Sequence, residues 1–395
     1  MNIKLILINI SFIGFYAING FGQTNTDTTI TKSKVPDPVT SPLSMPGMSG
    51  PLTVNPRPLK FGDIYISGVA SGLVQLQNGV FRGDKPLQSD ISNSQVFIQK
   101  IDGVVQFFVE VGAYSLPDIG VPYLRSGLAA NAFYGVLPQG YIKIAPTNNF
   151  SVEVGKLPSF IGAEPTFSFE NMNIQRGLLW NQENSVDRGV QLNYTAGPLA
   201  FSISLNDGFY SNKYNWLSGS LTYTVNGTNA LALIGGSSMN RTNISSLVTP
   251  LYQNNEQVYN LIYTRTSGPW TIQPYLQYTS VPPIPLLKTT QSAATYSAAL
   301  LANYLVPGSG FSLPFRLEYI TSTGSPANGT PNLIYGAGSN AWSVTVTPTY
   351  QYNAFFVRGE LSYVKAGNIE KGSAFGPTGN EDTQSRALIE LGFLF

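Results

Sequence analysis

The stretch Phe311-Ser312-Leu313-Pro314-Phe315-Arg316-Leu317-Glu318-Tyr319 decides the fold. Its odd positions are bulky and apolar, and its even positions are polar, charged or small. A period of two is what a half-buried strand requires. The pattern recurs on both sides of this stretch. Phe355, Val357, Gly359, Leu361 and Tyr363 alternate with Phe356, Arg358, Glu360 and Ser362. Trp342, Val344 and Val346 alternate with Ser343, Thr345 and Thr347, and Leu199, Phe201, Ile203 and Leu205 with Ala200, Ser202, Ser204 and Asn206. The chain ends by setting Ala387, Ile389, Leu391, Phe393 and Phe395 against Arg386, Leu388, Glu390 and Gly392.

The connections carry as much information as the strands. Short turns fall at 102–103, 147–149, 196–198, 226–228, 267–269, 307–310 and 351–353, mostly with Gly or Asn where a turn needs positive φ. Between them lie longer connections, at about 78–94, 115–136, 157–185, 208–215, 239–256, 280–294, 322–340 and 365–385. Strict alternation of short and long predicts an all-β, transmembrane up-and-down antiparallel barrel of about sixteen strands, with one short-turn rim and one long-loop rim. The segments Val96–Ile101 and Leu137–Ala145 carry the weakest patterns, which leaves fourteen or eighteen strands open.

Composition separates this barrel from a string of soluble sandwiches. The chain has 395 residues, 22 Lys+Arg against 21 Asp+Glu, a formal net charge of +1, and only 11% charged residues, against roughly 25% in soluble domains. Hydrophobic residues make up 43%, with 22 Tyr and 22 Phe, so low charge does not mean disorder. A sandwich would place its charges outside. Here the less apolar face is Ser, Thr, Asn and Gln with few charges, while the other is almost wholly apolar. An apolar exterior suits lipid, where every backbone N–H and C=O must be paired without water. Interfacial aromatic girdles are expected from Trp216, Tyr223, Trp270, Tyr278, Trp342 and Tyr350. The absence of Cys and His excludes disulfide frameworks, thiol nucleophiles, Ser-His-Asp triads and imidazole metal sites. Near-neutral charge argues against a nucleic-acid partner.

The two ends give the compartment. Lys4, the apolar run Leu5 to Ala17, and Gly20-Phe21-Gly22 read as a secretory leader over 1–22. Residues 23–60, with Pro36, Pro38, Pro42 and Pro46 among closely spaced prolines, read as an extended or disordered periplasmic tether ahead of a barrel over 61–395. Gly392-Phe393-Leu394-Phe395 ends a strand on an aromatic residue, resembling the signal read by the barrel-assembly machinery of Gram-negative bacteria. The expected location is therefore the outer membrane, with its lipid as one partner.

Gly155-Lys156, Gly162-Ala163-Glu164, Asn171, Arg176-Gly177 and Gly189-Val190, followed by Asn206-Asp207-Gly208-Phe209, resemble the middle of the β-barrel porin type 2 family. The similarity is clearest over 137–235. Asp187-Arg188 departs from the His-Thr often found there. The resemblance implies an outer-membrane pore.

Alternation predicts a pore lining of Glu110, Lys143, Glu153, Arg316, Glu318, Arg358, Glu360, Arg386 and Glu390. Such near-balanced charge implies weak ion selectivity, although the same residues could equally serve to satisfy one another. The longest loop, with Glu164, Glu170, Arg176 and Glu183, is a candidate to fold inward as a constriction anchored by Phe160, Phe167 and Phe169. Capping the rim from outside is the alternative. No cofactor, metal or catalytic set is expected. Three functions stay open: a water-filled channel for passive diffusion of small hydrophilic solutes, a structural or surface-binding barrel with an occluded lumen, or a substrate-specific channel for sugars or peptides. Tyr123, Phe133 and Tyr210 would suit sugars. Whether the barrel forms a homotrimer is not written in the alternation.

Overall fold

The computed structural model describes Leu52 and residues 59–395. The expected leader and nearly all of the expected proline-rich tether lie outside the described residues. A short arm, β1 (Leu59–Phe61), folds back on β2 (Ile64–Gln77). There follow β3 (Leu87–Lys100), β4 (Val105–Tyr114), β5 (Gln139–Ile144), β6 (Phe150–Pro158), β7 (Val186–Ala196), β8 (Leu199–Asn206) and β9 (Trp216–Asn226). The second half comprises β10 (Asn229–Ser238), β11 (Gln257–Ser267), β12 (Trp270–Val281), β13 (Ala293–Leu305), β14 (Phe311–Ser322), β15 (Asn340–Val346), β16 (Thr349–Tyr352), β17 (Phe355–Gly367) and β18 (Thr383–Leu394).

Each strand from β2 onward pairs antiparallel with its neighbours, and β18 closes on β2 from Arg386↔Gln77 to Leu394↔Val69. Both β15 and β16 pair with β14 and β17, so they form one barrel strand interrupted at Pro348, which has no N–H to give the ladder. The result is a closed sixteen-strand antiparallel barrel with no free edge. Short turns gather at one rim, where Gly197 and Gly268 hold φ of 59° and 57°, and long loops gather at the other.

Exposure fixes the faces. Leu313, Leu317 and Tyr319 are 42%, 46% and 49% exposed, whereas Arg316 and Glu318 are 0% and 2% exposed. The greasy side therefore looks outward. Tyr223, Trp270, Trp342 and Tyr350 stand exposed on it near strand ends. The terminal residue joins the ladder, since Phe395 N donates to Gly68 O at 2.9 Å and Gly68 N donates back at 2.7 Å. Only glycine fits at position 68, because a Cβ there would collide with the Phe395 ring.

Three expectations need correction. The first long loop spans 78–86 instead of 78–94, because β3 begins at Leu87. Its outer half reads Ser-Asp-Ile-Ser-Asn-Ser, and this polar run hid a strand whose inward Gln88 and Asn93 are buried in the lumen. The ladder starts at Leu59, two residues earlier than expected. Trp216 is not a girdle residue. It is fully buried and points inward, meeting Phe209 edge-to-face at 5.5 Å.

Candidate functional site

The connection between β6 and β7, residues 159–185, does not cap the rim. It runs across the inside of the barrel, and nearly every residue from Ile161 to Ser185 is buried. Its aromatic residues seat it against the wall. Phe167 meets Tyr114 at 5.0 Å, and Phe169 meets Phe97 at 5.9 Å, while Phe97 continues to Phe108. Phe160 is partly buried and packs against a second apolar cluster. Ser168–Glu170 form a single 3₁₀ turn, in which Glu170 Oε2 accepts from Phe167 N at 3.1 Å and Asn171 donates to Pro165 O and Phe167 O.

The expected pore-lining charges of β14, β17 and β18 meet this segment atom by atom. Arg358 donates to the carbonyls of Ser168, Asn171 and Met172 at 2.9, 2.9 and 2.8 Å, and faces its cross-strand partner Glu390 at 3.4 Å. Glu390 also accepts from the Ser168 hydroxyl. Glu360 accepts from Ile174 N at 2.5 Å, Gln175 N at 3.1 Å and Thr347 Oγ1 at 2.8 Å. Arg316 pairs with Glu164 at 2.5 Å and Glu318 at 3.2 Å, and donates to Gln175 O. Glu318 accepts from Ser343 at 2.6 Å. Gly177 passes so close to Glu318 that a Cβ would overlap its carboxylate. These bonds satisfy backbone groups that an irregular segment inside a barrel would otherwise leave unpaired.

The other candidates are placed differently. Arg386 reaches the neighbouring loop 115–138, donating to Asp118 O and Val121 O at 2.5 and 2.6 Å. Arg176 clamps the same loop through Asp118 at 2.5 Å, donates to Thr166 O, and lies over the Trp180 ring at 4.5 Å. Glu110 accepts from Gln95. Lys143 and Glu153 are cross-strand partners on β5 and β6, away from the ladder on β14–β18, and Glu153 accepts from Asn193 at 3.0 Å. Asp118, Gln175 and Gln182 also hold the segment but had no periodic pattern to reveal them, because they lie in connections. Of the three loop aromatics, Tyr123 is buried against Ile174, Leu73 and Leu388, whereas Phe133 and Tyr210 flank Tyr134 elsewhere.

Burial sets the acidity of the segment's carboxyls. It pushes Glu170 up to about 8 against the opposing hydrogen bond from Phe167 N. It pushes Glu164 up to about 7 despite Arg316. Glu183 is raised well above the ordinary range by burial and by Glu164 and Glu318 nearby.

The opposite wall is chemically different. The inward positions of β8–β13 carry no Asp, Glu, Lys or Arg. Segment 159–185 touches β9–β11 chiefly through apolar contact, with Ile161 among Trp216, Ile234, Val258 and Ile262. Gly162 N donates to Asn260 Oδ1 at 3.1 Å on β11, and further round, on β12 and β13, Gln277 donates to Leu179 O at 3.0 Å while the Thr279 and Thr295 hydroxyls donate to Gln182 Oε1 at 3.1 and 2.6 Å.

Residues 63–395 match the family described as beta-barrel porin-2, OmpL-like. No functionally curated protein matches the chain. Solved structures of similar fold include the outer-membrane expressed OmpT of Vibrio cholerae (13% identity, TM-score 0.55, covering 86% of this chain and 100% of that one). The outer membrane channel DcaP of Acinetobacter baumannii is similar at 10% identity and TM-score 0.55, covering 86% and 99%. OmpF of Salmonella typhi, solved with daunomycin, is similar at 12% identity and TM-score 0.54, covering 85% and 99%.

Proposed function

The chain belongs to the beta-barrel porin-2, OmpL-like family and resides in the outer membrane, and from that premise we propose that it is a water-filled channel for passive diffusion of small hydrophilic solutes. One observation carries the reading. A barrel of this strand number encloses more space than its own side chains fill, and the segment that crosses it here is held by side-chain bonds and apolar contact, outside the strand ladder. Selectivity among ions is weak, because the inward Arg316, Arg358, Arg386 and Lys143 and the inward Glu110, Glu153, Glu318, Glu360 and Glu390 are buried and near balance, and so present no ring of one sign to a passing ion. The chain is non-enzymatic in this reading, since Glu360 and Glu390 are engaged in holding the segment. Recognition by the assembly machinery through Phe395 and association as a homotrimer belong to the same reading.

Planar-bilayer reconstitution tests it. Stepwise conductance in proportion to salt, with a reversal potential near zero in a KCl gradient, is the expected result. The burial of 161–185 favours a second reading, a structural barrel with an occluded lumen. Electrical silence from a protein that still folds in a heat-modifiable way would select that one. Block of the current by added sugar would select a substrate-specific channel.

A further inference from the structure

The inner surface is divided. On β14, β17 and β18 the charges are sealed from water: Arg316, Arg358 and Glu390 have no exposed surface, and each is bonded to segment 159–185. They hold that segment and present nothing to a passing solute. On β8–β12 the inward side chains nearer the short-turn rim are partly open to water, as at Ser202, Ser220, Thr224, Thr266 and Thr271.

Cross-strand pairing joins these open positions to uncharged polar neighbours that are themselves buried, among them Ser204, Ser218, Thr222, Thr264 and Gln273. Ser202 is the cross-strand partner of both Asn193 and Ser220, and Ser204 is the partner of both Gln191 and Ser218. Thr266 opposes Thr271, which carries the open hydroxyls onto β12, and behind them the buried Gln273 donates to Thr264 at 3.1 Å. Ala200 and Ala232 leave room on this wall, each opposite Thr222. The part of segment 159–185 that faces β9–β11, around Ile161, is tethered more weakly than the part that Gln277 and Thr279 hold on β12, since apolar contacts yield without leaving a buried charge unpaired.

We propose that the solute path runs along the uncharged wall of β8–β12, past the apolar edge of segment 159–185, and takes small uncharged polyhydroxylated solutes in preference to ions. This rests on the channel reading above. Hydroxyl and amide side chains replace the water lost by a sugar-like solute, donating and accepting alike. They offer no opposite charge to an ion shedding part of its hydration, so the ion meets a barrier that the neutral solute does not.

Osmotic swelling of liposomes holding the full-length protein tests this with three probes of similar size: sorbitol, gluconate and glucosamine. Sorbitol should enter at least about tenfold faster than either ion, the ratio given by a barrier difference of about 1.4 kcal/mol. Ser220→Lys should raise gluconate entry relative to sorbitol several-fold and leave glucosamine slow. Comparable entry of sorbitol and both ions would overturn the solute class. An unchanged gluconate-to-sorbitol ratio in Ser220→Lys, with heat-modifiable folding intact, would overturn the path. Failure of all three probes to enter with the folded wild-type protein would instead remove the channel reading itself.

Discussion

Replacing Arg358 by Met removes the firmest hold on the segment that crosses the lumen. The guanidinium has no exposed surface and donates to three carbonyls within residues 168–172, at 2.9, 2.9 and 2.8 Å, beside Glu390 at 3.4 Å. Methionine fills similar space but donates nothing, so the three carbonyls lose a charged donor and Glu390 loses its cation. Removing one partner of such a buried pair costs about 3–5 kcal/mol. The strand ladder does not pass through Arg358's side chain, so the cost falls on segment 159–185 and not on barrel closure. Amide hydrogen exchange in the reconstituted protein reads this directly. Protection over 168–176 should drop by about two to four orders of magnitude, the factor corresponding to 3–5 kcal/mol. Protection in β12 and β13 should hold. Bilayer conductance should rise in the same variant. Unchanged protection over 168–176 would refute the argument that Arg358 holds the segment, and equal loss throughout the barrel would refute its localisation.

Other consequences follow from the same geometry. Glu170 is held near 8 in the folded protein against an ordinary 4.5, so the folded state binds the extra proton. The stability this contributes is complete below about 4.5 and is lost as pH rises through about 8. Exchange over 167–171 should therefore quicken between pH 5 and 9, and Glu170→Gln should flatten that dependence; a flat wild-type profile would contradict it. Gly162 holds φ of 88° with its missing Cβ directed at the Glu183 carboxylate. Gly162→Ala should loosen the segment by at least the 1–2 kcal/mol of left-handed strain, about tenfold in exchange, and undiminished protection would dismiss the steric argument. Leu361 lies at the centre of β17 and is 61% exposed. Leu361→Arg should lower folding stability in vesicles by about 2–4 kcal/mol, measured by denaturant titration. An unaltered midpoint would mean that this face does not meet acyl chains.

Much of this molecule was legible along the chain because a strand's two faces are written as odd and even positions. Phe311–Tyr319 already separates the outward Leu317 from the inward Arg316, and no tertiary information is needed for that. Closure followed from the alternation of short and long connections, since an up-and-down barrel needs every strand to return to the same rim. The alternation failed where polarity was even on both faces, as in β3. It also failed where an apolar side chain pointed inward, as with Trp216, because sidedness there is set by which neighbour occupies the lumen.

The fate of the inward charges was decided only by the assembled fold. Periodicity placed Arg316, Arg358, Glu360 and Glu390 on the inner face, but not whether water or protein lay over them. That depends on a connection with no period, whose course is set by contacts between residues such as Ser168 and Arg358, 190 positions apart in sequence. A strand carries its orientation in its own pattern, whereas an irregular segment takes its path from partners spread around the barrel. The sequence by itself determined a lipid-facing barrel with a polar interior; the tertiary structure decided which part of that interior is covered.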